Sequence, residues 1–281
     1  MVINLTIKEN LEYAIKKLKE NDIEECSLKA KLLLSHVLIK PKEFLIINEE
    51  KNLSEAEQEK FNRLLEQMID NVPLQYLVNK QEFYGIEFFI NENVLIPQPD
   101  TEILVEEVIN ISNRENKKEI LDMCTGSGAI AIALSKNIKN ANIIATDISD
   151  KALEIAKKND KENKVNFIKS DMFENLKNKK FDVIVSNPPY IKTDRIKTLS
   201  KEVQKEPMLA LDGGKDGLNF YRIIINNADK HLNSNGYLCL EIGDDQKEEV
   251  VQLLKQKKYK EIYSKKDLSG NDRIVVAKNV K

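Results

Sequence analysis

The sequence predicts an α/β fold, a parallel sheet covered on both sides by helices and preceded by a small helical bundle. Three observations carry that expectation. Capping boxes and apolar residues three and four apart fill roughly the first seventy residues. From Asp100 onward, short apolar strands alternate with helical patterns, as in strands joined by helical crossovers. A glycine-containing loop follows one of those strands and opens a helix.

The helical elements come first. Thr6-x-x-Glu9 and Ser54-x-x-Glu57 are capping boxes, in which hydroxyl and carboxylate each satisfy a backbone N–H at a helix start. The first opens a stripe of Leu11, Ala14, Ile15 and Leu18, the second one of Phe61, Leu64, Leu65 and Met68. Residues 27–38 supply another apolar-faced helix, and Pro41 opens a shorter one. Charged faces such as residues 16–20 read as solvated. Residues 81–96 alternate aromatic and aliphatic side chains around Gly85 and Asn91, the pattern of a hairpin. The expected organisation is a bundle at 1–75, a hairpin linker at 76–97 and the sheet domain at 98–281.

In the sheet domain, residues 120–123 form a short buried strand. It runs through Asp122, Cys124, Thr125, Gly126, Ser127 and Gly128 into an apolar helix at 129–134. The glycines permit a tight turn and close approach of a ligand at a helix N-terminus. A dinucleotide fingerprint would put glycine where Ala131 stands, and its alanine variant excludes that reading only weakly. A second strand, 142–146, ends at Asp147, placed to accept hydrogen bonds from both hydroxyls of a ribose. The plainer reading of Asp147 is a cap for the helix at 151–159, although Ser149 or Asp150 also fits that role. After a third strand at 165–169, Asp171 is an acceptor suited to an adenine amino group, and Met172 and Phe173 read equally as ring-packing or as ordinary core. Gly126, Asp147, Asp171 and Asn187 all fall at the carboxyl ends of strands, where open α/β sheets bind ligands.

The fourth strand, 181–186, is followed by Asn187, Pro188, Pro189 and Tyr190. Asn-Pro dipeptides often do no more than end a strand. The chemical reading is methyl transfer to a planar nitrogen. Such a nitrogen is a poor nucleophile, its lone pair delocalised on the scale of the amide rotation barrier of about 18–20 kcal/mol. A site for it needs acceptors that grip both N–H groups: the Asn187 side-chain oxygen and the Pro188 carbonyl. Consecutive prolines fix φ and bring no competing donor, and Tyr190 is expected to stack on the planar group. The long connection 192–217, rich in charge and glycine, is expected to be a lid that orders over the substrate. Residues 259–264 and 272–278 read as an antiparallel pair.

Composition excludes several classes. With 44 basic and 46 acidic residues in 281 and a net charge of −2, the chain lacks the electrostatic footprint of broad phosphate-backbone contact. Cys26, Cys124 and Cys239 are scattered and stand at no metal spacing, as are His36 and His231, so neither a disulfide framework nor a metal site is expected. No apolar run approaches the roughly 20 residues a membrane span needs, and no signal segment is evident. A cytoplasmic monomer is the expectation.

The chain resembles the release factor glutamine methyltransferase (HemK/PrmC-like) family over nearly its whole length. The resemblance is carried by Pro73-Leu74-Gln75-Tyr76-Leu77, Glu82-Phe83-Tyr84-Gly85, Leu95-Ile96-Pro97-Gln98-Pro99-Asp100-Thr101-Glu102, the loop from Cys124 to Gly128, Asn187-Pro188-Pro189-Tyr190, and Glu206-Pro207 with Ala210-Leu211. It implies a Rossmann-like class I S-adenosylmethionine-dependent methyltransferase, with a mostly parallel seven-stranded sheet and an antiparallel edge. It implies transfer of methyl from S-adenosyl-L-methionine, leaving S-adenosyl-L-homocysteine, to the glutamine N5 of the Gly-Gly-Gln motif in peptide chain release factors. By the same resemblance, the 124–128 loop, Asp147, Met172 and Asn187 contact the cofactor and residues 187–190 hold the glutamine; Asp122 and Asp171 are expected among the cofactor-binding residues as well. Gln98 departs from the arginine common in the family, supplying hydrogen bonds but no charge. A nucleic-acid amino methyltransferase, another protein substrate and a binding module without catalysis remain as rivals; the first lacks a visible basic or target-recognition region.

Overall fold

A computed structural model describes residues 5–280; the ends of the expected domains, residues 1–4 and 281, lie outside them. The described chain forms two compact units. One ends at Lys80 and takes in Ser200–Lys205; the other comprises the remainder.

The first unit is helical, with α1 (Ile7–Glu20), α2 (Cys26–Leu38), α3 (Lys42–Ile47), α4 (Glu55–Ile69) and α5 (Leu74–Val78). Both capping boxes form: Thr6 N–H donates to Glu9 at 2.8 Å and Ser54 N–H to Glu57 at 2.8 Å, while each hydroxyl accepts the N–H three residues on. Ala14, Leu18, Phe61, Leu64, Leu65 and Met68 from the expected stripes are buried together with Leu33 and Leu34 of α2. Lys29 of α2 pairs with Glu202, tying 200–205 to these helices.

The second unit opens with a hairpin, β1 (Lys80–Phe83) and β2 (Ile86–Phe89), turning at Tyr84-Gly85. Rather than serving as a separate linker, it groups with the sheet. The reason lies in one side chain: Asn159 accepts from Phe89 N–H at 2.8 Å, donates to Phe89 carbonyl at 2.9 Å and donates to Ser127 carbonyl at 3.0 Å.

Then come α6 (Glu102–Glu115), β3 (Glu119–Met123), α7 (Ala129–Asn137), β4 (Asn142–Asp147), α8 (Asp150–Asn159), β5 (Val165–Lys169) and β6 (Phe181–Ser186). The connection after β6 carries the short α9 (Thr193–Ile196) and α10 (Met208–Leu211), and α11 (Asn219–Ala228), β7 (Leu232–Glu241), α12 (Lys247–Gln256), β8 (Lys260–Lys266) and β9 (Asp272–Asn279) complete the chain. The seven-stranded sheet has the order β5-β4-β3-β6-β7-β9-β8. The first five strands are parallel, and β9 and β8 form the antiparallel edge. From β3 the chain winds outward through β4 to β5, then returns to place β6 on the other side of β3. The crevice at this reversal, beyond the carboxyl ends, is where such sheets bind ligands. Ile120, Leu121, Asp122 and Met123 of β3 are all buried, as befits a central strand covered on both faces.

Candidate active site

The loop after β3 is held by its neighbours. Thr125 N–H donates to Thr146 carbonyl at 2.9 Å, and Thr125 Oγ1 donates to Asp122 at 2.6 Å. Asp122 also accepts from Ala131 N–H at 3.1 Å, so this carboxylate braces the start of α7 from below. Cys124, Gly126 and Gly128 all take positive φ, at 61°, 55° and 81°. A Cβ on Gly126 would meet nothing within 4 Å, whereas one on Gly128 would lie 3.1 Å from Ala156 Cβ. The first glycine faces open space, and the second permits α7 to approach α8.

Asp147 ends β4 with both oxygens engaged by backbone: Gly126 N–H and Ser149 N–H each donate at 2.9 Å. Ser149, not Asp147, caps α8, accepting from Ala152 N–H at 3.2 Å. After β5, Ser170 Oγ donates to Met172 carbonyl at 2.8 Å and accepts from Asn175 N–H at 3.1 Å, fixing the turn that presents Asp171 and Met172.

Cys124, Gly126, Asp147, Asp171, Met172, Asn187 and Pro189 line one cavity of about 490 Å³, a size typical of small-molecule sites. Asp122, Thr125, Ser127, Gly128, Pro188 and Tyr190 do not line it. Asp122 is wholly buried, and Thr125 and Ser127 are spent on holding the loop. Tyr190 does not stack over the cavity: its hydroxyl donates to Glu241 at 3.2 Å and its carbonyl accepts from Gln246 at 2.9 Å. The cavity's remaining walls, absent from the motifs singled out individually, include Val94, Ile148, Leu209, Phe220 and Ile223. Apolar residues outside regular patterning give no sign in a sequence that they face a ligand; of these walls only Leu95, Pro207 and Ala210 fall in segments that carry the resemblance.

Residues 211–213 fold back on the tetrapeptide. Ile191 N–H donates to Leu211 carbonyl at 3.0 Å and Gly213 N–H to Ile191 carbonyl at 2.8 Å, so α10 forms a cavity wall in place of a loose loop. A Cβ on Gly213 would lie 2.7 Å from Tyr190 Cα, which explains the glycine. Gln98, exposed, donates to Ile96 carbonyl at 3.0 Å.

Electrostatically, burial raises the pKa of the site's carboxyls. Burial pushes Asp122 up to about 7, its bonds from Thr125 and Ala131 opposing and the charge of Asp147 adding. Burial also raises Asp147, against the pull of the Ser149 and Gly126 N–H groups. The Cys124 thiol is raised far by burial, so it acts as a small neutral side chain.

These residues fit S-adenosylmethionine. Asp147 and Asp171 are acceptors for hydroxyl and amino groups, Met172, Ile148 and Ile223 offer apolar surface, and Gly126 leaves space beside the backbone.

A family model described as methyltransferase small domain matches residues 98–206, and one described as PrmC N-terminal domain matches residues 9–78. A solved methyltransferase from Pyrococcus furiosus superposes with a TM-score of 0.53 at 19% identity, over 78% of this chain and 99% of that one. The fold is thus that of a class I S-adenosylmethionine-dependent methyltransferase. A release factor glutamine methyltransferase of Clostridium botulinum is 41% identical over 268 residues, covering 93% of this chain and 95% of that protein. The chain belongs to the release factor glutamine methyltransferase family. It is also 39% identical to a bifunctional methyltransferase of Rickettsia felis over 303 residues, 96% of this chain and 58% of that longer protein. Among the described residues no helix is long and apolar enough to cross a membrane.

Proposed function

We propose that the chain methylates the side-chain N5 of the glutamine in the Gly-Gly-Gln motif of peptide chain release factors, with S-adenosylmethionine as donor. The observation that supports this most is convergence: Asp147, Asp171 and the strand-end Asn187 share one cavity at the sheet's reversal point. When bound, S-adenosylmethionine supplies an electrophilic methyl group on a positively charged sulfur. Asp147 accepts from ribose hydroxyls, Asp171 from the adenine amino group, and Met172 packs on the ring. Asn187 Oδ1 accepts from one N–H of the glutamine amide, and the carbonyl of Pro188, which stands between the cavity-lining Asn187 and Pro189, from the other. Their work is to align a weak nucleophile, since orientation and fixed dipoles supply most of the acceleration where no strong base acts. The N-alkylated amide cation formed by the transfer is so acidic that its proton leaves to solvent with or after transfer, and no dedicated base is assigned. In this reading the helical unit recognises the release factor, nucleic acid is not contacted, and the chain works as a cytoplasmic monomer.

The test is transfer of labelled methyl to a purified release factor, run beside the same factor with its Gly-Gly-Gln glutamine replaced by alanine and beside duplex DNA. Label on the intact factor alone is expected. Label on DNA, or equal label on the glutamine-less factor, would overturn the assignment.

A further inference from the structure

We propose that Glu241 and Thr101 are positioning residues that set which way the Asn187 side-chain amide faces. The proposal rests on the amide-holding role given to Asn187 above. An asparagine amide has two orientations of nearly equal shape, one presenting oxygen and the other NH₂, and only hydrogen-bond partners choose between them. Asn187 must present oxygen to the cavity if it is to accept from a glutamine N–H.

The choice is made behind it. Asn187 Nδ2 donates to Thr101 Oγ1 at 3.3 Å. Thr101 occupies the N-cap position of α6, yet its side chain makes no capping bond, so its hydroxyl is free to serve another purpose. β6 and β7 run in parallel with Ser186 opposite Leu240, which brings Glu241 beside the start of the tetrapeptide. Thr101 and Glu241 are buried, at 4% and 2% exposure. One oxygen of Glu241, Oε1, takes the proton of Tyr190 at 3.2 Å. The other, Oε2, is buried without a hydrogen-bond partner. Burial pushes this carboxyl up to about 7, against the adjoining Thr101 hydroxyl, the charge of Arg273 and the Tyr190 hydroxyl, which draw it down.

A hydroxyl has one proton. Once Glu241 is ionised, above about pH 7, that proton goes to the orphaned Oε2 and leaves Thr101 Oγ1 only able to accept, so that oxygen must face the NH₂ of Asn187. Oδ1 is thereby turned to the cavity. The same carboxylate holds Tyr190 through Oε1, so Glu241 anchors both ends of the Asn187-to-Tyr190 segment, and Tyr190 serves the site from behind.

Glu241→Gln reverses the chain of donors: an NH₂ facing Thr101 frees the hydroxyl proton for Asn187 Oδ1 and favours the wrong orientation. Turnover of release factor by Glu241→Gln and by Thr101→Val is expected to fall roughly tenfold to a hundredfold, the scale of one unmade hydrogen bond at a buried group. KM for S-adenosylmethionine and the melting temperature should stay near wild type, and Thr101→Ser, which keeps the hydroxyl, should restore turnover to within about twofold. Equal losses in Thr101→Ser and Thr101→Val, or wild-type turnover in both Thr101→Val and Glu241→Gln while Asn187→Ala is crippled, would overturn the proposal alone. Wild-type turnover in Asn187→Ala would remove the reading beneath it and the proposal with it.

Discussion

Asp147 carries the clearest single-residue consequence. Its oxygens already accept from Gly126 and Ser149 N–H groups, each with lone pairs left for a ligand, and Ser149 independently caps α8. Asp147→Ala should therefore leave the helix in place while raising the dissociation constant for S-adenosylmethionine about tenfold to a hundredfold, the value of a hydrogen bond to a charged group. Calorimetric titration checks it, and an unchanged constant would remove Asp147 from the donor site. At this scale the sequence told strand ends from strand interiors but not the direction of each side chain. That Asp147, Asp171 and Asn187 share one cavity was readable because each lies at or just beyond the carboxyl end of a strand. Asp122, one residue inside its strand end, was read as a ligand contact, but it is buried and braces α7. Glu241 gave no signal, and Thr101 only its place in a segment that carries the resemblance, since what the proposal needs is a pairing across 140 residues of chain.

Among elements, the loop between β3 and α7 combines two glycines with different jobs. Both have positive φ, so a side chain at either position is strained, but only Gly128 also sits against α8, with Ala156 Cβ and Ile132 Cδ1 each 3.1 Å from an added Cβ. Gly126→Ala should cost about 1 kcal/mol through backbone strain alone, and Gly128→Ala about 1–3 kcal/mol more through overpacking. Urea denaturation of the two variants measures the difference; equal losses would show that α7 and α8 separate freely. The capping boxes of α1 and α4 were legible because their chemistry lies within four residues, and the parallel strands because covered strands are continuously apolar. The hairpin's allegiance was not legible. It depends on Asn159, seventy residues away from Phe89, closing bonds to its backbone. The connection after Tyr190 looked loose from its glycines and charges, yet two of those glycines, Gly213 and Gly217, are required by close approach to Tyr190.

Over the whole molecule, the sheet unit buries carboxyls that cannot easily ionise, and this gives stability an uncommon dependence on pH. Burial pushes Asp122, Glu206 and Glu241 each up to about 7. For Glu206, whose ordinary value is 4.5, only the bond from Ile96 N–H at 2.9 Å opposes burial. Between 4.5 and about 7 the folded chain keeps a proton that the unfolded chain has released. The contribution to stability is thus complete below about 4.5 and is lost as pH rises through about 7. Carboxyls such as Asp182 and Asp216 are held low instead, and their contribution is lost only as pH falls through those depressed values. The raised groups thus favour the acid side of neutrality, and the lowered groups any pH above their depressed values. Glu206→Gln isolates one group, since the neutral amide still offers an oxygen to Ile96 N–H. Against the wild type, the variant should gain on the order of 3 kcal/mol between pH 4.5 and pH 8, the equivalent of this shift at 1.36 kcal/mol per unit. Denaturation at the two pH values reads it directly. Parallel curves for wild type and variant would mean that Glu206 is ionised when buried, and that water or a neighbouring donor reaches it.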